Sequence, residues 1–231
     1  MKDEFFEGKD FEGGEFKALM PKYYPPKYKK YIEEETELLK LKLNGANRIL
    51  EAGVGIGRLI PDIAPIVKEF VGIDNADLML KKSQDVAKKF SNVKIMKDEL
   101  GNLSKLFPQN YFDFCLCVWN TLGNVKDEVQ ILKEIAPVTK KSIFITVYHK
   151  GTLGDRKNWY KTVGVEIFKV DEENEIFYSK SGLKSKSYSL EEIEEIAKAS
   201  NLQVKASRIL GEVILWAELA SQSLNNNFVA N

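Results

Sequence analysis

Arg48-Ile49-Leu50-Glu51-Ala52-Gly53-Val54-Gly55-Ile56-Gly57-Arg58-Leu59 decides how the rest of the chain is read. Arg48 to Leu50 begin a short apolar run of the kind that forms a buried strand. Glu51 stands at the strand's end. Glycines at 53, 55 and 57 then alternate with single residues. Glycine tolerates positive φ and has no Cβ, so a ligand can lie directly against such a backbone. A helix following the loop would point its free N–H groups and positive dipole end at that ligand.

The spacing narrows the ligand. Dinucleotide-binding folds use G-x-G-x-x-G, whose third glycine lets helix and strand pack closely. Here Arg58 holds that third position and glycine comes one residue earlier, which disfavours an NAD(P) oxidoreductase. No G-K-[ST] ending follows, so this is not a P-loop. A glycine-rich turn with no ligand is the plainer alternative, because short glycine motifs recur by accident. The pattern E-x-G-x-G-x-G resembles motif I of the class I S-adenosylmethionine-dependent methyltransferases. In that family the loop wraps the methionine half of the cofactor, and the acidic residue at the strand end lies near the cofactor's ammonium group. The resemblance therefore implies S-adenosyl-L-methionine as cofactor, with Glu51, Gly53, Gly55 and Gly57 around it.

Bulk properties bound the answer. The 231 residues suffice for one large domain or one domain plus a lid. Lys+Arg and Asp+Glu number 34 each, so the formal net charge is zero. A large nucleic-acid footprint normally shows as excess positive charge, and the balance argues against one. No apolar run approaches the ~20 residues of a membrane span. Met1-Lys2-Asp3-Glu4 is acidic early and leads into no apolar segment, so no signal peptide is expected. Cys115 and Cys117, two apart in a strand-like run, face one side of a sheet and are read as buried thiols in a reducing cytoplasm. With one histidine in the chain they lack partners for a metal site, and no metal is expected.

Downstream, apolar runs and helical periods alternate. Phe70-Val71-Gly72-Ile73 ends in Asp74, which sits 21 positions after Gly53. A carboxylate about 20 residues past the glycines is where nucleoside-binding α/β folds hold ribose hydroxyls. A strand-end Asp can instead cap the next helix. A helix is expected over 77–90. Val93 to Lys97 forms a third strand leading to Asp98 and Glu99. Phe112 to Trp119 is a nearly all-apolar run that suits a central parallel strand. It leads into Asn120, either a turn residue that caps backbone groups or an amide that orients a ligand. A helix over 127–136 is expected to stop at Pro137. Ser142 to Tyr148 forms a fifth strand exiting into His149, whose unperturbed pKa suits a general base. The plainer reading of His149 is a loop anchor. In the resemblance, Asp74 and its neighbour Asn75 take the ribose. Asp98, with Glu99 as the poorer choice, takes the adenine amino group. Trp119 and Asn120 stand where the fourth-strand loop meets the cofactor methyl group.

The flanks depart from this alternation. Residues 1–30 are rich in aromatics and broken by glycine and proline, and a helix follows over 27–43. Residues 1–44 are read as an arm and helix serving as a lid, with Tyr24 and Tyr28 as acceptor-binding candidates. The core runs over 45–150. After Gly151 the alternation breaks, and 165–170 and 175–179 read as a β-hairpin across a four-residue turn. Residues 151–187 would overhang the ligand edge, bringing Trp159, Tyr160 and Arg156 to the acceptor. Ser189-Leu190-Glu191-Glu192 is a capping box, and Tyr188 with Ile193 forms a hydrophobic staple. Residues 188–231 complete the core with a helix, strands at 204–209 and 213–219, and a frayed tail from 221.

The expected fold is α/β: a Rossmann-like, doubly wound, mostly parallel seven-stranded sheet with helices on both faces, plus the hairpin insertion. Glu51, Asp74 and Asp98 fall at the ends of three successive strands, so one cleft edge gathers them. The resemblance implies in-line methyl transfer, with His149 as base and Asn120 beside the reacting group. A small-molecule acceptor with a nitrogen or oxygen nucleophile is favoured, because the extra segments look like lids over one pocket. An RNA methyltransferase would show a positive patch near the cleft. A non-catalytic S-adenosylmethionine-binding protein would lack an acceptor pocket.

Overall fold

The computed structural model describes residues 14–222. The phenylalanines at 5, 6 and 11 and the tail beyond 222 lie outside them. The first half contains α1 (Gly14–Lys17), α2 (Pro26–Leu43), β1 (Arg48–Ala52), α3 (Ile60–Ile63), β2 (Glu69–Asp74), α4 (Asp77–Ala87), β3 (Val93–Lys97), α5 (Leu103–Leu106) and β4 (Phe112–Cys117). Next come α6 (Thr121–Asn124), α7 (Glu128–Val138), β5 (Thr139–His149) and α8 (Leu153–Val163). Then follow β6 (Ile167–Asp171), β7 (Ile176–Ser179), β8 (Lys184–Tyr188), α9 (Leu190–Ala199), β9 (Leu202–Leu210) and β10 (Ile214–Ser221).

Seven strands form the main sheet in the order β3-β2-β1-β4-β5-β10-β9. The first five run parallel. β10 is antiparallel to both β5 and β9. Alternate residues of each inner strand feed opposite faces. Ile49, Phe70, Leu116 and Phe144 join one core cluster, while Leu50, Val71, Cys115 and Ile143 join the other. Burial on both faces is why these runs read as continuously apolar. α2 covers the first face through Tyr28, Tyr31, Leu39 and Leu43. α7 and α9 cover the second through Leu132, Ile135, Ile193 and Ala197. Cys115 and Cys117 are free and buried, and burial pushes both thiols up to about 12.

Several boundaries differ from expectation. The glycine loop leads into only four helical residues, with Pro61 in the first turn. Ala64–Ile66 then restart as a single 3-10 turn around Pro65. So short a helix carries little macrodipole. α4 ends at Ala87, before the expected position 90. Pro137 lies inside the last turn of α7 rather than ending it, and the chain leaves the helix one residue later.

The insertion holds more structure than a hairpin. α8 was not expected, because its buried face mixes Trp159, Tyr160 and Val163 with the buried cation Arg156 and so shows no apolar period. It ends at Gly164, whose φ of +81° makes the left-handed cap. β6 and β7 form the expected hairpin, its turn tied by Asn174 to Asp171 at 3.0 Å. β8, Lys-Ser-Lys-Ser-Tyr, adds a third antiparallel strand. Its inward Ser185 and Ser187 bond Arg156 at 2.9 Å each, which explains a strand without apolar alternation. β8 also pairs in parallel with the end of β5, through Tyr148 with Ser187 and His149 with Tyr188. The small sheet thus hangs from the carboxyl edge of the large one. The capping box forms, with Glu192 N donating to Ser189 Oγ at 3.2 Å and Ser189 N to Glu192 Oε2 at 2.8 Å. Tyr188 and Ile193 are buried in one cluster. Among the described residues no helix is long and apolar enough to cross a membrane.

Candidate active site

A cavity of about 430 Å³ opens at the carboxyl ends of the parallel strands. Each strand contributes where it stops. β1 supplies Glu51, Gly53, Gly55 and Arg58; β2 supplies Asp74 and Asn75. β3 supplies Asp98, Glu99 and Leu100; β4 supplies Val118, Trp119 and Thr121. The N-terminal segment reaches in with Leu19 and Tyr24, and the β7–β8 turn with Gly182, Leu183 and Lys184.

The glycine loop is shaped by left-handed backbone that only glycine adopts freely. Gly53 and Val54 donate to Ile73 O at 2.8 and 2.9 Å, which pins the loop against β2. Gly55, at φ +53°, has no atom of the described residues within 4 Å of where a Cβ would stand, so the backbone is bare toward the cavity. Gly57 differs. A Cβ there would lie 2.8 Å from Ile60 Cδ1 and 3.1 Å from Ser83 Cα. Its place is in packing against α4, and it is not among the lining residues, contrary to its expected cofactor contact. The next residue, Arg58, lines the cavity instead.

The three strand-end carboxylates meet here as expected. Asp74 Oδ2 accepts Gly55 N at 2.8 Å, and Oδ1 accepts Ala76 N at 3.0 Å. Burial raises its pKa against the pull of these N–H groups. Each oxygen keeps a lone pair for a further donor. Asp98 Oδ1 accepts Glu99 N at 2.8 Å and Asn102 Nδ2 at 2.7 Å. Glu51 is 3% exposed, and its Oε2 has no partner among the described residues. Burial pushes its carboxyl up to about 8, opposed by the Arg58 guanidinium.

Arg58 belongs to a network that the sequence hides. Its Nη2 donates to Glu35 Oε2 at 2.5 Å. Glu35 stands in the charged run Glu33-Glu34-Glu35 of α2, which reads as a solvated face, yet it is fully buried. Its Oε1 accepts Tyr31 Oη at 2.7 Å and Thr146 Oγ1 at 2.8 Å. Thr146 Oγ1 in turn accepts Trp119 N at 2.8 Å. Trp119 carries Tyr24 at 5.1 Å, Tyr31 at 5.3 Å and the Arg58 Cζ at 5.5 Å from its ring. Trp119 and Asn120 both have positive φ, +55° and +61°, an unusual pair of non-glycine residues that turns the indole to the cavity wall.

Other expected site residues lie elsewhere. Asn120 is buried and does not line the cavity. Its Oδ1 accepts Tyr148 N at 3.1 Å and its Nδ2 donates to Ser185 Oγ at 3.2 Å, so it bolts the β4 loop to β5 and β8. His149 is also outside the lining. Its backbone N donates to Val213 O at 3.0 Å, and its Nδ1 is buried without a partner among the described residues. Strand-end position placed it on the right edge but not on the cavity side. Tyr28, Trp159 and Tyr160 are core residues behind the wall: Tyr28 stacks on Trp159 at 5.3 Å, and Tyr160 Oη donates to Ser185 Oγ at 2.8 Å. Tyr24 alone of the four expected acceptor-binding aromatics lines the cavity, its Oη donating to Leu19 O at 2.9 Å.

Residues 49–142 match the model of a family described as a methyltransferase domain. Over 135 residues, 55% of this chain, the sequence is 26% identical to phosphoethanolamine N-methyltransferase 3 of Arabidopsis thaliana. That match spans 27% of the relative, so the chain corresponds to about a quarter of its length. The PH0226 protein of Pyrococcus horikoshii OT3 shares the fold with a TM-score of 0.70 at 20% identity, covering 90% of this chain and 99% of that one. Magnesium protoporphyrin IX methyltransferase from Synechocystis PCC 6803, crystallised with bound SAH, gives 0.68 at 13% identity, covering 95% and 97%. The domain match falls on the glycine loop and the strands that gather the carboxylates, so this part of the chain is similar to a methyltransferase domain and the whole shares the fold of solved methyltransferases.

Proposed function

We propose that the cavity binds S-adenosyl-L-methionine and that the chain transfers its methyl group to a nitrogen or oxygen of a small-molecule acceptor. One observation carries the reading. Glu51 presents a buried, unpartnered carboxylate oxygen beside a bare glycine loop, and such an atom needs a donor. The α-ammonium of the cofactor supplies one. Asp74, with Asn75, accepts the ribose hydroxyls on the lone pairs its backbone donors leave free. Asp98, with Glu99, takes the adenine amino group, and Trp119 walls the methyl-bearing end.

When bound, the cofactor supplies a methyl group already activated on a sulfonium. The protein's part is then to position the acceptor and exclude water. Leu19 and Tyr24 from one flank and the 182–184 turn from the other line the cavity, which supports reading these segments as lids. Segments that close a pocket of this size, in a chain of zero formal net charge, favour a small acceptor over a nucleic acid. The chain's single histidine does not line the cavity, so the acceptor reacts as a neutral amine or gives its proton to a lining carboxylate or to water.

Calorimetric titration with S-adenosylmethionine, S-adenosylhomocysteine and NAD tests the reading. Micromolar binding of the first two and none of NAD is expected. Binding of NAD alone would overturn it. Turnover is then screened over small amines and hydroxyl compounds with labelled methyl donor.

A further inference from the structure

Two of the lining residues carry a buried polar atom with no partner among the described residues: Glu51 through Oε2 and Arg58 through Nη1. One is an acid and one a base, and neither bonds the other. Arg58 is restrained on its remaining sides. Nη2 is paired with the buried Glu35, and the guanidinium lies against the Trp119 ring. Glu35 is itself locked by Tyr31 and Thr146. A guanidinium so restrained loses little freedom when it takes one more acceptor, and a buried N–H group left without one is costly. The partner that satisfies both orphans is a zwitterion: a cation for Glu51 and an anion for Arg58. An anion bonded to a desolvated guanidinium makes a charge-assisted hydrogen bond, among the stronger kinds.

Resting on the S-adenosylmethionine reading of the cavity, we propose that Arg58, positioned by Glu35, binds the cofactor's α-carboxylate, so that the site selects nucleosides carrying a free amino-acid end. Glu35 ties this to the fold. It stands on α2, so the N-terminal helix sets the guanidinium that the glycine loop supplies.

The test is calorimetric and needs no turnover. Three probes are titrated: S-adenosylhomocysteine, its decarboxylated analogue, which keeps the ammonium, and 5′-methylthioadenosine, which lacks both charges. Wild type is expected to bind S-adenosylhomocysteine roughly 10- to 100-fold tighter than the decarboxylated analogue. The double variant Glu35→Gln/Arg58→Met removes both members of the ion pair, so no unpaired carboxylate is left in the core. It is expected to close the gap by lowering the affinity for S-adenosylhomocysteine alone, with the other two probes unchanged. Equal binding of the first two probes by wild type overturns the proposal, and that comparison requires no variant. A variant that weakens all three probes in proportion also overturns it, since Arg58 would then act only on the shape of the loop. Wild type binding none of the three removes the cofactor reading itself and this proposal with it.

Discussion

The carboxylate of Asp74, at the end of β2, accepts the backbone N–H of Gly55 at 2.8 Å, so the acid of the second strand holds the glycine loop of the first. One side chain thereby shapes the loop and stands in the cavity it helps to form. Asp74→Ala is expected to weaken S-adenosylhomocysteine at least 10-fold and to speed exchange of the Gly55 amide in the ligand-free protein. Calorimetry and hydrogen exchange check the two effects separately.

Glu51 should make binding pH-dependent. Its carboxyl is held up to about 8 by burial, and only the ionised form pairs with an ammonium group. Affinity for S-adenosylhomocysteine should therefore rise from pH 6 to pH 8 and then level. Glu51→Gln should flatten this rise and bind roughly 10-fold more weakly at pH 8.

The same group acts on stability in the opposite direction. The native carboxyl holds its proton more tightly than the unfolded one, so its contribution is full below the ordinary value of 4.5 and is lost as pH rises toward about 8. Ligand-free Glu51→Gln should melt a few degrees above wild type at pH 9 and about level with it at pH 5. Thermal scans at both pH values decide this. A variant less stable than wild type at pH 9 would contradict it.

Gly55→Ala and Gly57→Ala should separate binding from folding. At Gly55 a Cβ meets nothing in the protein, so the fold bears only the strain of positive φ, about 1–2 kcal/mol, while the methyl projects where a ligand would lie. At Gly57 the Cβ drives into Ser83 and Ile60, adding roughly 1–3 kcal/mol of overpacking. Urea melts should show the larger loss in Gly57→Ala, and calorimetry the larger affinity loss per unit of stability in Gly55→Ala.

Arg156 is a structural cation. Its guanidinium donates to Glu175 O, Ser187 Oγ, Ser185 O and Ser185 Oγ between 2.6 and 2.9 Å, and lies over the Tyr148 and Phe177 rings. Arg156→Met leaves these acceptors unmatched in the core and should cost about 3 kcal/mol by urea denaturation. Cofactor affinity should change little once the variant is folded.

Much of this was legible because the relevant signals are local. Nearly continuous apolar runs at 70–73 and 112–118 became strands because a strand buried on both faces must be apolar throughout. Glu51, Asp74 and Asp98 share an edge because parallel strands all end on the same side. The capping box at Ser189 closes within four residues and formed as written.

The sequence by itself determined the sheet, the bare glycine loop and the three acids at the strand ends, since each follows from backbone geometry over a few neighbouring residues. The tertiary structure alone decided which way the remaining side chains face. It buried Glu35 out of an acidic run and Arg156 among serines, because each found partners more than 15 residues away in the chain. It turned His149 and Asn120 from the cavity into the joints between β5, β8 and their neighbours. It left Arg58, the residue that breaks the dinucleotide pattern, with a free N–H group on the cavity wall. A side chain's partner depends on which elements pack across it, and no local period in the sequence encodes that.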